Sequence, residues 1–508
     1  MSDGKIIQEN GENIMPITYE TCVLDDEGNP ITETIGDVSL LNTESRNLVG
    51  AINEVFGDTI KEQVVNVLVD NGVGASINEN WSSLIYKIDD GFESKKIEIE
   101  EIKNELIKII KENGYDINEN ENLQTIISSL NNATAKDIKQ VSCGVGHVCV
   151  LKKDGSLWVC GINGNGELGL GDTTNRNTFT KVTTNINNDV KQVVCGGNRT
   201  FILKNDGSVW ATGKNGNGQL GLNDTTNRNT FTQVTTNISD VKEIVCGREH
   251  AFILKNDGSI YSCGFNSSGQ LGLGDTTDRK TFTQVTTNIS DINQISCGDY
   301  HTFILKNDGR VWSCGNNGQG QLGLGTNGSG VNKSTFTQVT TNINNDVKQV
   351  ACGYIRTFIL KNDGSLWSCG NNGNGELGLG DANNRTTFTK VTTNINNDVK
   401  QVICSVGSTQ TWIIKKDGNT YGCGITQFGA LAITQGASTF IQNSFGNNSI
   451  LVSCGGYISG KDYGFAYILK NNGTLWNCGY NYHGQLGTGT NDTNTNSTPK
   501  VISPGNVF

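Results

Sequence analysis

The chain is short of proline, with 4 residues in 508, and short of charge, with Asp, Glu, Lys and Arg together at 18%. It holds no run of 18 apolar residues. Each shortage excludes something. Without such a run no helix is expected to span a bilayer, so no membrane insertion is expected. The opening Met1-Ser-Asp-Gly-Lys-Ile-Ile-Gln-Glu-Asn10 lacks the charged-then-apolar layout of a secretory signal, which points to folding in a cytoplasm. Basic residues number 39 against 50 acidic ones, for a net charge of −11. A sequence-independent grip on nucleic acid needs a basic surface, so no nucleic-acid partner is expected. The absence of any Cys-x-x-Cys pair argues against zinc, and no metal ligand is assigned. The glycine runs Gly164 to Gly171 and Gly373 to Gly380 lack a Gly-Lys-Ser/Thr ending, so they are not phosphate loops and no cofactor is assigned. No Ser/His/Asp set, Cys/His set or carboxylate pair stands out, so no catalytic residue is assigned and no enzyme is expected.

What is abundant is glycine, 64 residues, which with so little proline suggests many tight turns between strands. A signature of the form Val/Ile-x-Cys-Gly recurs at Cys143, Cys195, Cys246, Cys297, Cys352, Cys404 and Cys454, spaced by 52, 51, 51, 55, 52 and 50 residues. Each unit has one grammar. In the fourth, Ile292 to Cys297 and His301 to Leu305 read as strands, and Lys306-Asn-Asp308-Gly309 reads as a hairpin whose Asp-Gly suits a type I′ turn. Arg310 to Gly315 alternates as a third strand, a glycine-rich loop holds Gln321-Leu322-Gly323, and Thr335 to Val339 is a fourth strand. Four strands per unit, seven times, predict a mainly β protein with a seven-bladed β-propeller. The aromatics Trp158, Trp210, Tyr261, Trp312, Trp367, Tyr421 and Trp476 open each third strand and are expected to fill the gaps between blades. Leu-Gly pairs recur in every unit but the sixth, which reads Leu431-Ala432.

Thirteen of the 15 cysteines are repeat positions, the second set being Cys160, Cys263, Cys314, Cys369, Cys423 and Cys478. Paired positions fall on strands one and three with strand two between. Two steps of about 4.8 Å exceed the roughly 7 Å Cα limit of a disulfide, so buried free thiols are expected. His147, His250 and His301 follow the signature cysteine by four residues, but Arg199, Arg356 and Ser408 replace them elsewhere. That exchange suits a turn residue hydrogen-bonding backbone near the central channel better than a catalytic or metal role.

The Cys-Gly-x-x-His, Leu-Lys-x-Asp-Gly-x-x-Trp-x-Cys-Gly and Asn-x-x-Gly-Gln-Leu-Gly-x-Gly motifs resemble the regulator of chromosome condensation (RCC1) repeat family. The resemblance covers residues 138–508. It implies the propeller fold and is nearly silent on function, because propellers host many unrelated activities.

Residues 1–137 differ in composition, being richer in Glu, Ile and Lys. Residues 1–35, with Pro16 and Thr18 and then Asp25-Asp26-Glu-Gly28, read as an extended segment with an Asp/Gly turn, and its Pro-x-Thr…Val-x-Asp-x-x-Gly entry resembles the N-terminal, tail-attaching ends of bacteriophage tail fibres. In 36–93, Asn42 or Thr43 can cap a helix whose Leu48, Val49, Ile52, Val55 and Phe56 form one apolar face. The Leu-Asn-Thr…Leu-Val-x-Ala-Ile-Asn-Glu-Val pattern here resembles bacteriophage tail-fibre and related tail-structure proteins. An Ile-Asn-Glu-Asn tetrad recurs at Ile77 and Ile117. In 94–137, Ile99, Ile102, Leu106 and Ile109 follow coiled-coil spacing that leans towards a homotrimer. The same pattern also suits an ordinary amphipathic helix. The expected front end is thus small and mostly helical.

The tail-fibre resemblance implies a receptor-binding tail fibre of a phage or tailocin, a virion component assembled in a bacterial cytoplasm and released by lysis. Its N-terminus would dock to tail or baseplate proteins. Its propeller would recognise a host cell-surface glycan or protein. The alternatives are an RCC1-like effector that binds a host protein, and a glycan depolymerase. Receptor contacts are expected where repeats depart from consensus: Asn327 and Lys333 in repeat four, Gln427 and Phe428 in repeat six, and Tyr457, Lys461, Asp462 and Tyr463 in repeat seven. Ordinary decay of terminal repeats explains the same departures.

Overall fold

The computed structural model describes residues 138–502, apart from 236, 237, 287, 288, 329, 344, 434, 458–461 and 492–495. The expected N-terminal modules, with Pro16, Thr18, Ile99, Ile102, Leu106 and Ile109, lie outside the described residues, as does Lys461.

Seven four-stranded antiparallel sheets follow one another along the chain, each ordered as the strands occur in sequence. Blade one comprises β1 (Ile138–Cys143), β2 (His147–Lys152), β3 (Leu157–Gly161) and β4 (Arg176–Lys181). Each sequence unit is therefore one blade, and among the described residues no strand is exchanged to close the ring. Closure relies on side chains and loops instead. The Cys143 amide donates to Ser453 Oγ at 3.1 Å, Asn177 Nδ2 donates to the Gly489 carbonyl at 2.9 Å, and Phe179 packs edge-on against Tyr467.

The core is a set of apolar layers, each lying between two neighbouring blades. One layer joins Phe201, Leu203 and Val209 of blade two to Ile244, Ile253 and Phe282 of blade three, with Tyr261 packed against it. Trp210, Trp367, Tyr421 and Trp476 likewise pack on the layer shared with the preceding blade. These five aromatics of strand three, and Trp158 between blades seven and one, thus fill inter-blade gaps as expected. Lysine ammonium groups lie over several of them, Lys204 at 4.6 Å from the Trp210 ring and Lys415 at 4.3 Å from that of Tyr421.

The strand two to strand three hairpin differs from the expected type I′ turn. Gly309 N donates to Lys306 O and Lys306 N to Arg310 O, both at 3.0 Å. Gly309 has φ +79° whereas Asp308 is not left-handed. This is a three-residue loop, a type I turn followed by a glycine bulge, and it needs only one residue with positive φ.

The cysteine reading holds. Cys297 pairs with Thr302, and Thr302 with Cys314, so the two thiols lie in one row with strand two between them. All cysteines among the described residues are free, and most are buried.

The Leu-Gly pair has a structural cause. Gly169 has φ +67°, and a Cβ there would lie 2.5 Å from the Phe231 ring of the next blade. Ala432 takes the same place in blade six with φ +51°. It fits because strand four of blade seven, Lys500–Val501, brings no phenylalanine to it.

Candidate functional site

In an antiparallel blade, the connections between strands one and two and between strands three and four emerge on the same face. Six blades tie the latter connection with a buried asparagine. In blade one, Asn163 Nδ2 donates to the Asp172 carbonyl at 3.0 Å and Asn163 Oδ1 accepts from Leu168 N at 2.9 Å. Blade six has Thr426 instead, whose hydroxyl takes over only the second bond, from Leu431 N at 3.3 Å. The connection then turns through Gln427–Gly429 with Phe428 at φ +57°, a left-handed conformation costly for a non-glycine residue. The Phe428 carbonyl accepts from Asn496 N at 3.1 Å.

This departure meets the one in blade seven. Tyr463 stacks on Phe428 with centroids 5.3 Å apart and planes 16° from parallel, and on Tyr457 at 4.6 Å and 18°. Tyr480 supports both neighbours from below, 5.0 Å from Phe428 and 4.8 Å from Tyr463. Tyr482 extends the cluster, 6.3 Å from Tyr480, and His483 lies 4.9 Å from Tyr482. Tyr480 is buried, Phe428, Tyr457 and Tyr463 are half-buried, and Tyr482 is 53% exposed. The result is a layered aromatic platform with an open rim.

Asp462 holds the platform from beneath. It is 3% exposed. Its carboxylate accepts from Ser408 Oγ at 2.7 Å, from Thr409 N at 2.9 Å and from the Thr409 hydroxyl. Its own amide donates to Gln427 Oε1 at 2.7 Å. Asp462 therefore positions the two loops, and its charge faces inward. Burial raises the Tyr457 and Tyr480 hydroxyls above the usual tyrosine range, so both stay protonated donors near neutral pH.

Of the residues singled out from sequence, Gln427, Phe428, Tyr457, Asp462 and Tyr463 thus come together. Asn327 and Lys333 do not join them; they belong to the strand three to strand four connection and strand four of blade four, with Asn327 exposed and Lys333 half-buried. Tyr480, Tyr482 and His483 were missed. Their signal was present, since Tyr482 and His483 stand where blade one has Gly164 and Asn165.

The histidines correct an expectation. They are strand residues and not turn residues, although the His147 and His301 rings do bond backbone, at Arg199 and Arg356 of the next blade. Each opens strand two, and its ring reaches a threonine of the next blade: His147 Nε2 to Thr200 Oγ1 at 3.0 Å, His250 to Thr302 and His301 to Thr357 at 2.9 Å. Arg199 and Arg356 instead donate to carbonyls of the next blade, including His250 O and Ser408 O. Both residue types therefore fasten blades together. Nearer the axis, Arg248 Nη1 pairs with Asp299 at 3.1 Å, and Asp299 Oδ1 accepts from Gly407 N, linking blades three, four and six across the channel.

These features define a seven-bladed propeller with a loop-borne aromatic site at one pair of blades. The RCC1-like domain family model matches residues 110–393, more than half of the chain, and the chain belongs to that family. It is 32% identical over 256 residues to the ultraviolet-B receptor UVR8 of Arabidopsis thaliana, covering 50% of this chain and 57% of the receptor. It is 33% identical over 295 residues to the human X-linked retinitis pigmentosa GTPase regulator, covering 47% of this chain and 28% of that protein. The chain thus spans just over half of the first relative and under a third of the second. Among solved structures, yeast RCC1 (Prp20) bound to Kap60 is similar with a TM-score of 0.55 and 22% identity, covering 63% of this chain and 78% of that one. That likeness shows the fold.

Proposed function

We propose that the chain is a non-enzymatic binding protein whose partner is another protein, in the manner of an RCC1-like effector engaging a host protein. The observation that carries this reading is the aromatic platform of Phe428, Tyr457, Tyr463 and Tyr482. The repeated frame is rigid and its loops are where contacts can vary. Tyrosine-rich, partly open clusters supply large contact area with little entropy lost on binding. The structure of Kap60 bound to yeast RCC1 (Prp20) offers support by analogy, since a protein that shares this fold is there bound to another protein. The cluster offers poor ground for a depolymerase, because the Asp462 carboxylate is turned inward onto Ser408 and Thr409.

A second reading keeps the propeller as the head of a phage or tailocin tail fibre whose platform contacts a host-surface molecule. It rests on the Leu40 to Phe56 pattern. Recovery of the chain from purified tail particles, by mass spectrometry, would favour it over the effector; recovery only as free protein with a host protein attached would favour the effector. For either, a variant combining Phe428→Ala, Tyr457→Ala and Tyr463→Ala should lose partner binding while keeping the propeller folded. Unchanged binding by a folded triple variant would remove this surface from the account.

A further inference from the structure

Three side chains from two blades meet between blades one and two. His147 opens β2, Cys149 follows two residues later, and Cys195 ends strand one of blade two. One imidazole nitrogen and the two sulfurs all lie within 4.8 Å of one another. All three residues are buried, Cys149 completely. Cys195 Sγ lies 3.2 Å from the Ser142 carbonyl, and Cys149 Sγ 3.8 Å from Thr200 Oγ1.

Cys149 sets this interface apart. The other six blades place Phe201, Phe252, Phe303, Phe358, Trp412 and Tyr467 at its position. There the ring packs edge-on against another aromatic, as Phe303 does on Phe388 at 6.3 Å. In blade one a thiol replaces the ring, so the His147–Cys195 pair gains a second sulfur. His250 and His301 occupy the matching place in blades three and four, but there strand two carries Phe252 and Phe303.

We propose that His147, Cys149 and Cys195 bind one thiophilic d10 metal ion, and that the three-donor set favours monovalent copper over zinc. Soft thiolate ligands select copper(I) and zinc, with the imidazole suiting both. Structural zinc takes four protein donors, whereas the cluster offers three in a closed site. Metal–sulfur bonds of about 2.3 Å require only that the sulfurs close by about an ångström. Binding releases one proton from each thiol to solvent and leaves the imidazole neutral.

The test uses the full chain, reduced and metal-free, titrated anaerobically with copper(I) against a chromogenic copper(I) chelator, with zinc chloride in parallel. The expected result is one equivalent of copper withdrawn from the chelator, with sulfur neighbours in its X-ray absorption spectrum. Cys149→Phe, which restores the aromatic of the other blades, and Cys195→Ser should each weaken binding by more than about tenfold. Cys149→Ser serves in place of Cys149→Phe if the larger side chain prevents folding. Failure of the wild type to withdraw copper, equal affinity in the folded Cys149 variants, or zinc held in preference to copper would overturn the assignment.

Discussion

Tyr463 stacks on Tyr457 with ring centroids 4.6 Å apart, and its other face meets Phe428 at 5.3 Å. Two loops from different blades are therefore joined through one ring. Aromatic pairs contribute about 0.5–1.5 kcal/mol each beyond burial. Tyr463→Ala should thus lower unfolding free energy by about 1–3 kcal/mol. Tyr482→Ala, at the open rim, should lower it by under about 0.5 kcal/mol. Denaturant unfolding of both variants checks the contrast.

Asp462 accepts hydrogen bonds from Ser408 and Thr409 while burying its charge. Asp462→Ala strands those donors, at a cost of about 1–3 kcal/mol. The Thr409 amide should exchange with deuterium faster in this variant, and partner affinity should fall although Asp462 is buried. Slow, wild-type exchange at Thr409 would contradict the positioning role.

Gly169 and Ala432 occupy equivalent turns with opposite tolerance. Gly169→Ala drives a Cβ to 2.5 Å from the Phe231 ring, on a backbone with φ +67°, and should cost about 2–4 kcal/mol. Ala432→Gly only relieves a left-handed alanine at φ +51° and should change stability by under about 1 kcal/mol. Thermal midpoints of the two variants provide the comparison.

The buried histidines set a pH dependence. Burial, aided by the Arg199 charge for His250 and opposed by a hydrogen bond to the Arg356 backbone for His301, holds both near 3 in the folded chain, against about 6.5 when unfolded. Below pH 6.5 the unfolded state binds protons that the folded state refuses. Stability is full above that pH and falls towards 3, by up to about 1.4 kcal/mol per unit for each histidine. Asp299 acts oppositely. Burial raises it to about 6, so its contribution is present at low pH and is lost as pH rises through 6. Urea unfolding between pH 4.5 and 6.5 should show a loss on acidification that steepens in Asp299→Asn and flattens in the His250→Asn/His301→Asn double variant.

The frame was legible because its determinants are local and repeated. Strand alternation, Asp-Gly turns and the cysteine rows fall within one unit, and the seven copies in sequence are the seven blades observed. The hairpin type was misjudged because it depends on pairing register, here Leu305 with Val311, which residue types alone do not specify. The histidine partners were invisible because Thr200 lies 53 residues from His147. Phe428, Tyr457 and Tyr463 could be singled out as breaks in the pattern. That they share one stack follows from blade adjacency, as does the gathering of Cys149 with Cys195.

The central claim is that the platform of blades six and seven, and not the insertion of blade four, is the recognition surface. Its most direct test is quantitative partner capture by three folded proteins: the wild type, the Phe428→Ala/Tyr457→Ala/Tyr463→Ala variant, and an Asn327→Ala/Lys333→Ala variant. The account predicts that a protein partner held by the wild type is retained by the blade-four variant and reduced at least tenfold in the aromatic one, a loss of about 1.4 kcal/mol or more. Retention by the aromatic variant with loss in the blade-four variant would contradict it.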